Sequence, residues 1–174
     1  MAKPLDGRLA LVTGATRGLG RAIAERLRDD GARVIGTGTR PDGEAPDGCE
    51  FMAVDFTDRA ATEAFGEKIR VREPLILVNN AGIGIERGIE DLKTEEFLKV
   101  HDINLLAPVI LCRAAVPGMR KAGWGRILNI GSIYGTISRE RRIPYSSTKF
   151  AIDGVTAALA PEVAKDGILV NTLA

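Results

Sequence analysis

The sequence is short of several residues from which functional sites are commonly built. Histidine occurs once, at His101, and one histidine cannot make a multi-histidine metal centre. Metal-binding residues are therefore not expected. Cysteine occurs twice, at Cys49 and Cys112, far apart and without Cys-x-x-Cys spacing. Both read as reduced thiols of a cytoplasmic protein. Neither sign of charge is in surplus: 24 Lys and Arg stand against 23 Asp and Glu, a net charge of +1. That balance supports neither a nucleic-acid partner nor a polybasic membrane anchor. No apolar run reaches the ~18 residues of a membrane span. Met1-Ala-Lys-Pro-Leu-Asp-Gly7 lacks the apolar core of a secretion signal. Glycine, by contrast, is plentiful: 20 residues, which points to tight turns and close backbone approaches.

At 174 residues the chain has the size of one domain, spanning 1–174. Short apolar runs alternate with helical patterns. Leu9–Thr13, Arg33–Thr37, Phe51–Val54, Leu75–Val78, Arg126–Ile130 and Ile168–Asn171 read as buried strands. Helices are expected from Arg21 to Asp30, closed by Gly31, and after Thr57 as N-cap, with Ala61, Phe65 and Ile69 on one face. A longer helical region, Thr94–Lys121, is interrupted by Pro108 and Pro117, and another runs from Tyr145 to Lys165. Residues 40–50, rich in Pro, Gly and acids, read as a loop. Strands alternating with helices predict an α/β fold, a doubly wound parallel sheet in the order 3-2-1-4-5-6.

Between the first strand and first helix stands Thr13-Gly14-Ala15-Thr16-Arg17-Gly18-Leu19-Gly20. A strand–helix turn of this kind lets backbone N–H groups approach a pyrophosphate at the positive end of the helix. A glycine-rich turn without a ligand is the alternative. The second strand ends in Thr37-Gly38-Thr39-Arg40, where a carboxylate would favour the ribose 2′-hydroxyl of NAD. Arg17 and Arg40 instead suit a 2′-phosphate, so NADP(H) is preferred over NAD(H). Two solvated surface arginines are the other reading. Asp55, followed by Phe56, ends the third strand, where its carboxylate can accept from an adenine amino group or simply serve the next helix start.

Tyr145 and Lys149 lie at i and i+4, neighbours on one helical face. A phenol ordinarily titrates near about 10, too high for acid–base work at neutral pH. One positive charge at ~4 Å, in an effective dielectric near 20, favours a phenolate by about 4 kcal/mol. The spacing thus suits Tyr145 as general acid/base with Lys149 as its partner. A surface Tyr resting on a Lys stem is the alternative. Ser132 follows the fifth strand, at the sheet edge where ligands of such folds bind, or caps the strand. Pro108 has no N–H to give the carbonyl of Asn104, which is left free to hold a water. An ordinary kinked helix explains the same residues.

Together these residues resemble the short-chain dehydrogenase/reductase family, in particular bacterial 3-oxoacyl-carrier-protein reductases. The likeness rests on Thr13–Gly20, on Asn79-Asn80-Ala81-Gly82 and on the set Asn104, Ser132, Tyr145 and Lys149. The resemblance implies that Ser132 and Tyr145 bind a substrate carbonyl. It implies that Lys149 holds the nicotinamide ribose and favours the Tyr145 phenolate, and that the Asn104 carbonyl holds a relay water. It places Asn80, Ala81 and Gly82 along the adenosine. It further implies a small-molecule ketone or alcohol as substrate and a homodimer or homotetramer through the helices containing Asn104 and Tyr145. Family members continue past the sixth strand with a substrate-covering loop and a seventh strand, so a C-terminally truncated member is expected here. A non-catalytic nucleotide-binding fragment is the rival reading. A sugar-nucleotide epimerase fits less well, because the glycine spacing differs.

Overall fold

The computed structural model describes residues 3–174. Six strands form one parallel sheet: β1 (Leu9–Val12), β2 (Arg33–Gly38), β3 (Glu50–Ala53), β4 (Ile76–Asn79), β5 (Gly125–Ile130) and β6 (Ile168–Leu173). Their order is β3-β2-β1-β4-β5-β6, as the pattern of strands and helices predicts. Leu11 is paired with both Ile35 and Leu77, and Ile127 with both Leu77 and Val170, so aliphatic side chains line up across the sheet. Each fully buried residue of this kind contributes about 1.5–3 kcal/mol.

Side-chain alternation sends the two halves of each strand to different layers. One face, with Leu11, Ile35, Leu77, Ile127 and Ile168, packs on residues of α2 (Arg59–Arg72), α4 (Ala107–Ala122) and α5 (Ile143–Val163). The other, with Ala10, Val12, Val34 and Val78, is smaller and meets α1 (Gly18–Asp29) through Ala24, Ile23 and Leu27. On that side Trp124 lies between two guanidinium groups, Arg8 at 4.2 Å and Arg126 at 4.3 Å from its ring. Of β6, Leu169 and Leu173 are exposed.

Several helix boundaries depart from the sequence reading: α1 begins at Gly18 and not Arg21, and α5 runs from Ile143 to Val163 and not from Tyr145 to Lys165. Asp58, not Thr57, caps α2, accepting from Ala61 N–H at 3.0 Å. Thr57 is diverted: its N–H and hydroxyl both donate to Asp55, at 2.9 and 2.8 Å. The region around Pro108 is not broken either. α3 (Thr94–His101) runs through a π turn (Asp102–Leu106) directly into α4. In the π turn Ala107 N–H reaches back five residues to the Asp102 carbonyl, and the wider turn accommodates the proline. Pro117 sits on the exposed side of α4, which continues past it. The continuous helix 94–122 is long and apolar enough to cross a membrane by composition, but 72% of its apolar window is buried within the fold, as in a core helix.

Candidate active site

The glycine loop leaves β1 and turns into α1 through two left-handed glycines, Gly14 (φ 66°) and Gly18 (φ 56°). Gly14 N–H donates to the Thr37 hydroxyl at 3.2 Å, and Ala15 N–H to the Thr37 carbonyl at 2.8 Å. Ala15 is thereby fully buried against β2 and presents no side chain to the cavity. A Cβ at Gly14 would stand 3.1 Å from Ala81 Cα, and one at Gly20 would overlap the Gly14 carbonyl and the Asn80 amide. α1 starts without a side-chain cap and without an acidic residue in its first turn. Its N-terminal N–H groups and dipole are therefore free for an anion.

Above this turn lies an open cavity of about 360 Å³. Gly14, Thr16, Arg17, Gly18, Leu19 and Gly20 form its floor, with Thr39 beyond β2, Asp55 and Phe56 beyond β3, and Asn80, Ala81 and Gly82 beyond β4. These are the cofactor-binding residues the sequence singles out, except Ala15, Arg40, Tyr145 and Lys149, which do not line it. Arg40 lies in an adjoining cavity of about 650 Å³ together with Arg17. That second cavity also holds Arg21, which sequence reasoning missed, and the acids Asp42 and Glu44. Arg21 is engaged by Glu25 at 3.0 Å, whereas Arg17 and Arg40 are exposed. Ile83 and Ile103 add apolar walls that no local pattern announces.

The second cluster follows β4 and β5. Lys149 is 6% exposed, and its ammonium donates to the Ile130 carbonyl at 2.6 Å. It lies 5.5 Å from the centre of the half-buried Tyr145 ring. Burial pushes the ammonium below its ordinary pKa, with Asp153 pulling the other way. Ser132 caps the turn after β5, its hydroxyl accepting from Tyr134 N–H at 3.2 Å. Tyr134 packs edge-on against Tyr145, centroids 6.1 Å apart. Gly135 lets this turn close onto α5, since a Cβ there would stand 2.9 Å from the Lys149 carbonyl.

Asn104 lies inside the π turn and is buried. Its amide accepts from Ile83 N–H and donates to the Ile83 carbonyl, both at 2.9 Å, and donates to Thr148 at 3.2 Å. Thr148 in turn donates to the Tyr145 carbonyl at 2.7 Å. The side chain thus ties the loop after β4 to the helix that carries Tyr145, a role the sequence reading, centred on its carbonyl, did not include.

A further polar chain was not visible in the sequence. Thr13 hydroxyl accepts from the N–H groups of Asn80 and Ala81, both at 2.9 Å. Asn79 donates to Asn129 at 2.8 Å, Asn129 to Thr156 at 2.9 Å, and Thr156 meets the Thr172 hydroxyl at 2.7 Å. The Asn79 amide also reaches Cys112 Sγ at 3.6 Å. Burial raises that thiol to about 12. Cys49 and Cys112 are both free.

Comparison with known proteins adds four findings. The family model described as short chain dehydrogenase matches residues 8–174. A 3-oxoacyl-(acyl-carrier-protein) reductase of Vibrio cholerae is 39% identical over 98% of this chain and 73% of its own length. Among solved structures, a short-chain dehydrogenase from Streptomyces avermitilis aligns with TM-score 0.87 and 35% identity, over 95% of this chain and 64% of that one. A putative NAD(P) dependent gluconate 5-dehydrogenase from Beutenbergia cavernae, solved with bound NADP, aligns with TM-score 0.89 and 32% identity, over 99% and 73%. The chain therefore spans about two thirds to three quarters of these relatives.

Proposed function

The chain belongs to the short-chain dehydrogenase family, and from that premise we propose that it interconverts a ketone and a secondary alcohol with NADP(H), using Tyr145 as general acid/base. The observation that carries this reading is the pairing of Tyr145 with a buried Lys149 at the carboxyl edge of the sheet, with Tyr145 against Gly84 in the loop after β4, whose preceding residues 80–83 line the glycine-floored cavity. The uncapped start of α1, and the tight loop that Gly14 and Gly20 allow by close packing on Ala81 and Asn80, fit a dinucleotide pyrophosphate. NADP(H) would supply or accept the hydride. The 2′-phosphate is assigned to Arg17 and Arg40, and the adenosine to Thr39, Asp55, Phe56, Asn80, Ala81 and Gly82.

In the reducing direction the Tyr145 phenol gives its proton to the carbonyl oxygen, and the Ser132 hydroxyl hydrogen-bonds the same oxygen. The Lys149 ammonium holds the nicotinamide ribose and favours the phenolate that results. The Asn104 carbonyl, without a donor from Pro108, holds the water that returns a proton toward Lys149. Names of relatives support this reading: one is a 3-oxoacyl thioester reductase and another was solved with NADP. A 3-oxoacyl thioester is accordingly the first substrate to test. The apolar groove between α4 and α5, lined by Val109, Val116, Val155 and Leu159, is assigned to a homodimer or homotetramer contact. The test is NADPH oxidation with 3-oxoacyl thioesters and simple ketones. Turnover that disappears in Tyr145→Phe, with NADPH binding retained, supports the reading; full turnover in that variant overturns it.

A further inference from the structure

One arginine beside Tyr145 plays no part in the scheme above. Arg142 immediately precedes α5, and the loop leading to it is fixed by Arg141 in the left-handed region (φ 64°), whose carbonyl accepts from Arg87 N–H at 3.0 Å. That anchoring turns the Arg142 side chain toward the loop after β4. There a Cβ built on Gly84 would stand 3.4 Å from Tyr145 Cδ2 and 3.7 Å from Arg142 Nη1. Guanidinium and phenol ring therefore both lie within contact distance of the same glycine.

The chain satisfies this guanidinium only in part, although it also lies 5.9 Å from the centre of the Tyr134 ring. Its Nε is buried without a hydrogen-bond partner. Its Nη2 meets Glu86 Oε2 at 2.8 Å, but the same oxygen is also approached by Arg139 at 3.5 Å. One carboxylate is thus divided between two cations. An arginine retained only to pin a loop would spend its donors on that loop, because a buried unpaired donor costs about 1–3 kcal/mol. An unfilled donor beside a reacting group is instead what anion recognition needs, since guanidinium pairs with carboxylate or phosphate through charge-assisted hydrogen bonds.

We propose that Arg142 recognises an anionic group, a carboxylate or a phosphate, on the substrate whose carbonyl Tyr145 protonates. The proposal rests on the role given to Tyr145 above, and Gly84, without a side chain, adds no atoms of its own between the two. Glu86 then acts as a competitor that the substrate anion displaces.

The test uses pairs of compounds that differ in charge. Calorimetric titration of 3-hydroxybutanoate and of its methyl ester, with and without NADP, reads binding apart from turnover. Steady-state reduction of acetoacetate against methyl acetoacetate, and of dihydroxyacetone phosphate against dihydroxyacetone, tells which anion is preferred. The charged member is expected to bind at least tenfold more tightly to the wild type. R142Q should erase that advantage while leaving the ester unchanged, R142K should keep part of it, and E86Q should increase it. Equal binding of acid and ester by the wild type overturns the proposal, as does an R142Q variant that weakens both alike. Should R142Q fail to fold, unchanged acid affinity in E86Q overturns it. Charge-dependent binding without turnover would leave this proposal standing and remove the Tyr145 reading instead.

Discussion

The two ends of the site are built from different material. The end at β1 and α1 is almost entirely backbone: Gly14, Gly18 and Gly20 matter for the side chains they lack. The end at β5 and α5 is made of functional groups, Ser132, Tyr145 and Lys149, with local hydrogen bonds at the first two and one from Lys149 back to the Ile130 carbonyl. The first is broken by adding atoms and the second by removing them. The contrast separates affinity from chemistry, because a cradle of N–H groups can bind an anion without moving a proton.

The sharpest way to divide the two ends is Tyr145→Phe. Loss of the hydroxyl is expected to lower kcat by about 10²–10⁴, while NADPH affinity and thermal stability stay near wild type. Steady-state kinetics and calorimetry on one preparation decide it. Gly20→Ala should do the reverse. Its methyl group has to displace the Gly14 carbonyl and the Asn80 amide, at a cost of about 1–3 kcal/mol in stability. NADPH affinity should fall with it, and a variant with unchanged melting temperature and affinity would show that the loop is not close-packed.

Lys149→Met tests whether the second end sacrifices stability for function. Burial lowers the pKa of this ammonium, so the charged form is disfavoured in the native state. Between that lowered value and the ordinary 10.5, the unfolded chain binds a proton that the native chain has lost. The contribution of Lys149 to stability therefore rises with pH across this window and is least favourable below it. Turnover should vanish in Lys149→Met, while stability at neutral pH is equal or greater and the alkaline rise disappears. Denaturant titrations at several pH values measure this.

Smaller effects are expected at the rim. Arg17→Ala combined with Arg40→Ala should reduce the preference for NADPH over NADH by about tenfold, the loss of one or two charge-assisted hydrogen bonds. An unchanged ratio of dissociation constants would remove both residues from the 2′-phosphate site. Least of all, thiol labelling at pH 8 should modify the half-buried Cys49 and spare Cys112, whose thiol is raised to about 12 by burial, until the chain unfolds.

How much of this was legible depended on whether the signal was local. Strands β1 to β6 announce themselves as short apolar runs between turn residues, and alternation with helices then fixes their order. The glycine loop and the Tyr145–Lys149 spacing are likewise complete within eight residues or fewer. What stayed hidden joins distant positions. Asn104 meets Ile83 and Thr148 across separations of 21 and 44 residues, and no periodicity encodes such a meeting. The π turn was missed for a related reason: Pro108 signals a disrupted helix, yet packing of α3 and α4 around it decides that the chain widens one turn and does not break. Thr57 loses its cap role to Asp58 because Asp55, two residues earlier, claims its hydroxyl. The unsatisfied guanidinium of Arg142 becomes visible only when the loops after β4 and β5 are side by side.

The buried chain from Asn79 through Asn129 and Thr156 to Thr172 has a consequence for how the sheet is threaded. Aliphatic side chains on neighbouring parallel strands are nearly interchangeable, so apolar packing alone discriminates weakly between β4, β5 and β6 in their native phase and the same strands slid by two residues. The amides are not interchangeable. A slide of that size leaves two carboxamides facing hydrocarbon, a penalty of about 1–3 kcal/mol for each unmatched group. The chain works as a vernier: only one setting of three strands and a helix brings all its marks into coincidence. Parallel sheets assemble from distant segments and search slowly, so a mark of this kind adds discrimination where apolar pairing supplies little.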